Sequence, residues 1–442
     1  MIEILSIILQ FIIFLCLFSF PFCLYKDKIF LLPNSFIIKG TYLKMGINTI
    51  IHANILLVLS FININPQIYF YFIMLLSIIA NILFISDNKK FNLNFNELLI
   101  FVVFIIFTLG FFFQISIDLK LEWDGLNHWF PKTFNFFNGL NIKNLNELGF
   151  SEYPHLGTYI WAFFWKNSYL QYEYFGRLFY VYLYVVSLFC VFENQFNKNI
   201  ILKIIIIFLL SIITFDLFLF GGYQGYLIFS VLIILSRLLY KETLKIKFTN
   251  RPLLFYFFII YIFHTIIWFK DEAIFYYMFV LIPFIFFLKI NKKYLLLLIC
   301  LLFPVLQAIL QKFLIGSYGF QAEIIHDNLF DNLKPDIFFG KFLLISKYIL
   351  ISIIKYKLWI INLFSLSILF FFFKKEFLKL KLWFYILIIN LMFVYAIYLH
   401  TPYDLEFLLK VTLDRILFHT SGFYLIFTVI LLEKITFQKD NL

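Results

Sequence analysis

The sequence predicts an all-α polytopic membrane protein, and three observations predict it. Of 442 residues, 63% are hydrophobic and 14% charged, against about 45–50% apolar and about 25% charged in soluble domains. Such a chain cannot cover itself with polar surface in water. The apolar residues fall in runs long enough for membrane helices, which need about 20 residues each. The basic residues behind the net charge of +11 gather in short connections between those runs, the positive-inside pattern. A soluble globular domain, a disordered chain and a disulfide scaffold are excluded. The positive charge reads as a topology signal rather than as a nucleic-acid surface. The 67 Phe and 28 Tyr come with an Ile, Lys and Asn bias that an AT-rich genome produces, so they carry no argument for a ligand.

The first run, Ile4 to Leu24, follows Glu3 rather than basic residues and has no small-residue cleavage site. It reads as a first membrane helix and not as a cleaved signal peptide. Helices are expected near 2–24, 46–63, 67–86, 97–117, 172–193, 199–219, 222–240, 252–270, 272–289, 294–315, 357–373, 381–399 and 415–433, giving about 11–13 spans. The region around Trp161 and the region 341–356 are ambiguous. Residues 1–96 form N-terminal transmembrane helices. Residues 97–433 form a larger membrane module with external loops 118–171, 316–356 and 400–415, and 434–442 is a cytoplasmic tail. The long first loop should carry interfacial helices. No internal repeat is visible, so the inverted-repeat signature of many transporters is missing. Cys16, Cys23, Cys190 and Cys300 lie inside apolar runs without CxxC or Cys/His metal spacing, and read as buried, inert thiols.

Orientation follows from the loops. The connections 25–45, 87–96, 194–198, 241–251, 289–293 and 374–381, with the tail from 434, carry 20 Lys and Arg, and the opposite side carries 11 on many more residues. The first set should be cytoplasmic, with the N-terminus outside and the C-terminus inside. Of 25 acidic residues, 16 fall on the external side. Insertion does not demand this, because acidic residues hardly influence topology. The external face is where carboxylate chemistry is expected.

Four segments there can carry chemistry. In Leu121-Glu-Trp-Asp-Gly-Leu-Asn-His-Trp-Phe-Pro-Lys132, a helical wheel puts Trp123, Leu126, Phe130, Phe134 and Phe137 on one side. Asp124, Asn127, His128, Lys132 and Asn135 fall on the other. This is an amphipathic interfacial helix. Asp124 and His128 are i,i+4 neighbours with Lys132 one turn on, which suits a general base beside a phosphate-binding cation. The bland alternative makes Asp124 a partner of helix-start N–H groups and leaves His128 and Lys132 facing water. Glu152-Tyr-Pro-His-Leu-Gly157, followed by an aromatic stretch to Trp165, reads as an extended approach into a second interfacial or re-entrant helix. It serves as a substrate wall or as an aromatic-belt anchor. Phe269-Lys-Asp-Glu-Ala273 puts three charges in a tight connection, which is expensive near lipid unless they face a wet cavity or pair. His400-Thr-Pro-Tyr-Asp-Leu-Glu406 precedes Thr412-Leu-Asp-Arg415. Arg415 there can grip a phosphate, snorkel, or pair locally with Asp414. Arg177 and Asp216, at outer helix ends, are functional candidates or a structural ion pair. No Walker loop, dinucleotide fingerprint or HExxH is present, which disfavours a nucleotide-dependent enzyme or an ATP pump.

Taken together, the chain resembles the bacterial membrane glycosyltransferases of the GT-C superfamily, which include protein O-mannosyltransferases and lipid A aminoarabinose transferases. Glu122-Trp-Asp-Gly-Leu-Asn-His-Trp-Phe-Pro131 is similar to the Asp-bearing motif of that family's first large external loop. Tyr153-Pro-His-Leu-Gly157 resembles its Tyr-Pro motif, and Lys270-Asp-Glu-Ala273 a Lys/Asn-Glu-Gly motif at a helix start. Thr401-Pro-Tyr-Asp-Leu405 with Asp414-Arg415 resembles a C-terminal motif of uncharacterised members. The resemblance spans about residues 95–433.

The resemblance implies an inverting transfer of a sugar from a polyprenyl-phosphate carrier to an acceptor hydroxyl of a glycan, lipid or protein. The site would face outside the bacterial inner membrane. Asp124 would deprotonate or orient the acceptor, with His128 close by. Arg415, Lys270, Lys132 or Arg177 would hold the phosphate. Asp271, Glu272 and Glu122 would complete a polar site open to Mg²⁺ or Mn²⁺, and Tyr153 and His155 would wall the acceptor or sugar. Three additional helices precede the Asp-bearing loop where many members have one, and no large soluble C-terminal domain follows. A repeat-unit polymerase or ligase, and a lipid-linked oligosaccharide flippase, are the competing expectations.

Overall fold

A computed structural model describes residues 2–22, 24, 40–62, 65–87, 95–151, 153–193, 199–216, 220–244, 253–288, 292–316, 335–399 and 404–439. Every regular element among them is helical. In order these are α1 (Ile2–Leu17), α2 (Thr41–Ile62), α3 (Pro66–Asp87), α4 (Phe95–Ile117), α5 (Phe130–Phe137), α6 (Leu156–Lys166) and α7 (Tyr174–Val191). They continue with α8 (Ile200–Thr214), α9 (Gly225–Leu244), α10 (Leu253–His264), α11 (Ala273–Phe287), α12 (Lys293–Ile315) and α13 (Pro335–Lys355). The last are α14 (Lys357–Phe372), α15 (Lys374–Lys379), α16 (Lys381–Leu399), α17 (Leu405–Leu408), α18 (Asp414–Ser421) and α19 (Leu425–Lys439).

Each of the thirteen expected apolar runs contains a helix, the first stopping at Leu17 rather than at residue 24. Among the described residues six helices are long and apolar enough to cross a membrane: α2, α4, α7, α12, α16 and the continuous path Leu405–Thr436. The pair α13–α14 makes a seventh if its two arms, bent by 96°, count as one span. Five further apolar helical stretches, Ile2–Leu17, Pro66–Ile82, Ile200–Thr214, Leu253–Trp268 and Ala273–Phe287, are shorter, with 10–17 residues. This is the build of an all-α polytopic membrane protein. Two expected external loops are largely helix instead. Residues 335–355 form α13, and 405–415 open the last helical path; 317–334 and 400–403 lie outside the described residues.

The core is organised around α7, whose residues are all buried. Helices α2, α4, α6 and α9 pack directly on it, so the N-terminal helices are not a separate layer. The outer helices turn large apolar side chains outwards, as at Ile106 (62% exposed), Leu298 (64%) and Phe313 (82%). Rows of such residues belong against lipid rather than water. Lipid gives little apolar drive for helix association, so polar stitches matter inside. Asn54 Nδ2 donates to Thr265 Oγ1 at 2.5 Å, and Asn390 Nδ2 to Thr420 Oγ1 at 3.1 Å. Trp383 Nε1 donates to Ser236 Oγ at 2.8 Å, which donates to the Phe423 carbonyl at 2.7 Å.

The bundle has two unlike ends. Tyr174 Oη donates to Glu3 Oε1 at 2.7 Å, so the first helix starts at the end that holds residues 118–171. At the opposite end the Glu193 carboxylate accepts from the Tyr42 and Leu43 N–H groups, both at 3.0 Å. It thereby caps α2 from the end of α7. The chain enters through Gly40 at φ +109°, where a Cβ would lie 2.2 Å from Glu193 Oε2. Both Glu193→Ala and Gly40→Ala should therefore destabilise the bundle, Glu193→Ala by about 1–3 kcal/mol for orphaned N–H groups. Thermal unfolding of the detergent-purified protein checks this, and an unchanged midpoint in both variants would refute the cap.

Candidate functional site

After α4 the chain is pinned to the turn before α9. Glu122 N–H donates to the Gly221 carbonyl at 2.9 Å. A Cβ on Gly125 would sit 2.1 Å from the same oxygen, and one on Gly222 (φ +100°) would sit 2.8 Å from the Gly125 Cα. Only glycines permit this approach, and it fixes Asp124 beside the turn. Gly125–Trp129 is a π-helical turn leading into α5. Beyond α5 a 3₁₀ turn, Ile142–Glu147, is capped reciprocally by Asn141 and Asn144, and the chain returns through α6.

The amphipathic segment is oriented differently from the simple expectation that its polar groups face water. Lys132, Thr133, Asn135 and His128 are buried, whereas Trp123, Leu126 and Phe134 are exposed. Asn127 is exposed beside them. Nor is the second expected interfacial helix peripheral: Leu156 to Trp165 in α6 are all buried, packed on α2, α5 and α7.

Asp124 and Arg415, 291 residues apart, form a direct ion pair between Asp124 Oδ2 and Arg415 Nη1. Arg415 also lies over the Tyr223 ring, 5.5 Å from its centroid. A second π-helical turn, Leu409–Leu413, immediately precedes Asp414 and Arg415. Such turns gather at functional sites because the extra residue re-aims the next side chains. Here one adjoins each partner of the pair. The pair borders a cavity of about 790 Å³ lined by Asp124, Asp216, Tyr223, Lys355, Lys357, Lys410, Asp414 and Arg415, with Ile212, Phe215, Leu358 and Val411 among its apolar walls. Lys355 forms an ion pair with Asp414, and Ser352 Oγ donates to Asp414 Oδ1 at 2.5 Å. The end of α13 is thus tied to the start of α18.

The other candidates are distributed around this centre. Lys132 is fully buried; its Nζ donates to the Tyr153 carbonyl at 2.7 Å and lies 5.8 Å from the Trp129 and Tyr153 rings. Arg177, 1% exposed, binds both oxygens of Glu173 at 2.9 and 3.0 Å and three backbone carbonyls, those of Leu119, Lys120 and Phe220. Neither cation borders the cavity. Protein acceptors take all the Arg177 donors, and the Tyr153 carbonyl takes one of Lys132. Arg177 pairs with Glu173 rather than Asp216, so the alternative of an Arg177–Asp216 bridge is corrected. His128 sits in an aromatic box, 3.8 Å from the Phe150 ring centroid and 5.1 Å from Trp123, outside the cavity lining.

His155 is buried and bonded to Ser60 Oγ at 2.8 Å. Burial pushes its pKa down to about 3, so it is a neutral packing element. Tyr153 stacks on Phe150 with centroids 6.0 Å apart. Glu122 pairs with Lys120 at 3.0 Å, and Glu272 with Lys270 at 3.0 Å. Burial alone would raise the Glu272 pKa, but the Lys270 and His419 charges hold it below the usual carboxylate range. Asp271, Glu272 and Lys270 do not line the cavity. Buried His419 faces the charges of Lys270, Glu272 and Arg415.

Sequence reasoning missed Lys355, Lys357, Tyr223 and His419. The Lys355-Tyr-Lys357 triplet between two apolar runs was the available signal, while the π turns had none. Among the described residues no three His, Cys, Asp or Glu side chains gather to hold a metal ion. The chain matches no protein-family profile, no curated protein and no solved structure.

The glycine contact makes the site sensitive to a single methyl group. Gly125→Ala should displace Asp124 from Arg415 and expose the turn. Faster backbone hydrogen exchange over residues 121–130, with the bundle still folded, is the expected result. Exchange equal to wild type would refute the role of the contact.

Proposed function

We propose that the protein is an integral membrane glycosyltransferase that moves a sugar from a polyprenyl-phosphate carrier to an acceptor hydroxyl on the external side of the bacterial inner membrane. The observation that carries this reading is the Asp124–Arg415 pair on a cavity with both cationic and apolar walls. A lipid-phosphate donor needs these things together: a cation for the phosphate, a carboxylate for the acceptor proton and an apolar path for the chain. Exposed Ile212 of α8 lines that cavity, and Phe208 and Leu209, one turn earlier on the same helix, are exposed as well.

In this reading the acceptor oxygen attacks the anomeric carbon from the face opposite the phosphate. The bond from that carbon to the phosphate oxygen breaks, and its electron pair leaves with polyprenyl phosphate. Asp124 takes the acceptor's proton. Arg415 holds the phosphate, helped by Lys355 and Lys357 at the α13–α14 bend. Donor energy resides in the phosphate ester, so no nucleotide site is required. GT-C membership, 11–13 spans and the external position of the cavity belong to the same proposal.

Loss of a general base typically lowers a rate about 10²- to 10⁴-fold, so Asp124→Asn should abolish glycan transfer in membranes where the protein is still inserted. Unchanged transfer refutes the reading. A change only in glycan chain length on deletion favours the polymerase, and vesicle transport that survives Asp124→Asn favours a flippase.

A further inference from the structure

We infer that the Asp124–Arg415 pair is a latch that the donor's phosphate opens, so that the carboxylate is released for the acceptor only after the donor is seated. The inference rests on the reading of the cavity as a lipid-phosphate site and concerns the regulation of that site.

The geometry of the pair points to exchange. The contact is single-pronged, from Arg415 Nη1 to Asp124 Oδ2, and both side chains are 18% exposed at the cavity. The other guanidinium donors of Arg415 and the second oxygen of Asp124 have no hydrogen-bond partner among the described residues. Compare Arg177, whose guanidinium is saturated by two carboxylate oxygens and three carbonyls. One arginine is built to stay; the other is held by one contact and presents its remaining fork to an open space. A phosphate offers that fork two oxygens at once, the stronger arrangement. It also brings a like charge towards Asp124, which pushes the carboxylate off Arg415.

The neighbouring groups keep Arg415 in place while Asp124 moves. Tyr223 supports its guanidinium plane, and Ser352 and Lys355 anchor the adjacent Asp414. Asp124, by contrast, enters a π turn that begins at Gly125. Lys357, exposed on the cavity rim, has no ion pair among the described residues and is free to meet the incoming anion. Before the donor binds, base and phosphate cation neutralise each other. An acceptor hydroxyl or water arriving first finds no free carboxylate, so the order of binding is donor, then acceptor.

The test uses the full chain in detergent with farnesyl phosphate as probe and farnesol as the uncharged control. Asp124→Asn, with Asp124→Ser as a second variant, should bind farnesyl phosphate about two- to fivefold more tightly than wild type, the range of a partly exposed ion pair. Farnesol binding should not change. Arg415→Gln should reduce farnesyl phosphate to the farnesol level. Hydrogen exchange over 121–130 should rise when wild type binds farnesyl phosphate and should already be high in Asp124→Asn. If farnesyl phosphate outbinds farnesol through Arg415 but Asp124→Asn gains nothing, or if 121–130 does not loosen, the latch is overturned and the lipid-phosphate reading stands. If wild type does not prefer farnesyl phosphate to farnesol, both fall.

Discussion

A helix bundle in lipid has no water inside to satisfy stray polar groups, so its interior must account for each of them. That constraint explains several of the buried charges here. Glu193 is spent on the start of α2, Arg177 on Glu173 and three carbonyls, and Lys132 on the Tyr153 carbonyl. Asn and Ser side chains join helices. Against this background a buried cation is weak evidence of function, because burial itself demands partners. The informative cation is the one left incompletely satisfied at a cavity, and among the candidates that is Arg415.

The same constraint explains how the site is assembled from distant parts. Asp124 comes from the segment after α4, Tyr223 from the turn before α9, Lys355 and Lys357 from the α13–α14 bend, and Arg415 from the last helical path. None of these is held by a loop of its own. Each is fixed by a helix end or by a glycine contact such as Gly125 against Gly221. The helices around α7 set the distances, and helix irregularities aim the side chains.

Much of the fold was legible because lipid burial writes itself into composition. The thirteen apolar runs became helices, and their order was readable from run lengths and basic connections. The two long loops were misread in part because charges such as Lys341, Lys347 and Lys355 break the apolar run of α13, and Asp404, Glu406, Lys410, Asp414 and Arg415 break that of the last path. Apart from Asp404, which caps the start of the last path, those charges lie on helices. The site was legible only as a set of candidates. Asp124 and Arg415 stood out as charges near the membrane boundary, and they meet. Lys132 and Arg177 stood out for the same reason and do not join them. Sequence spacing cannot say which acceptor satisfies a buried donor, and a wheel at constant pitch cannot register a π turn. The wheel grouped Asp124 with His128; the fold sends one to the cavity and the other into an aromatic box.

The two π turns bear on why the pair is built as it is. Each spends a normal helical hydrogen-bond pattern on one extra residue, a local sacrifice that persists where the re-aimed side chain is needed. A purely structural bridge would be better served by the arrangement at Arg177, buried and bonded on every side. Asp124 and Arg415 have instead a single shared contact, partial exposure and an open volume beside them. A largely buried pair held by one contact recovers its desolvation cost poorly, so stability does not account for two irregular helices converging on one contact. In the proposed latch, the readiness of both groups to take another partner does.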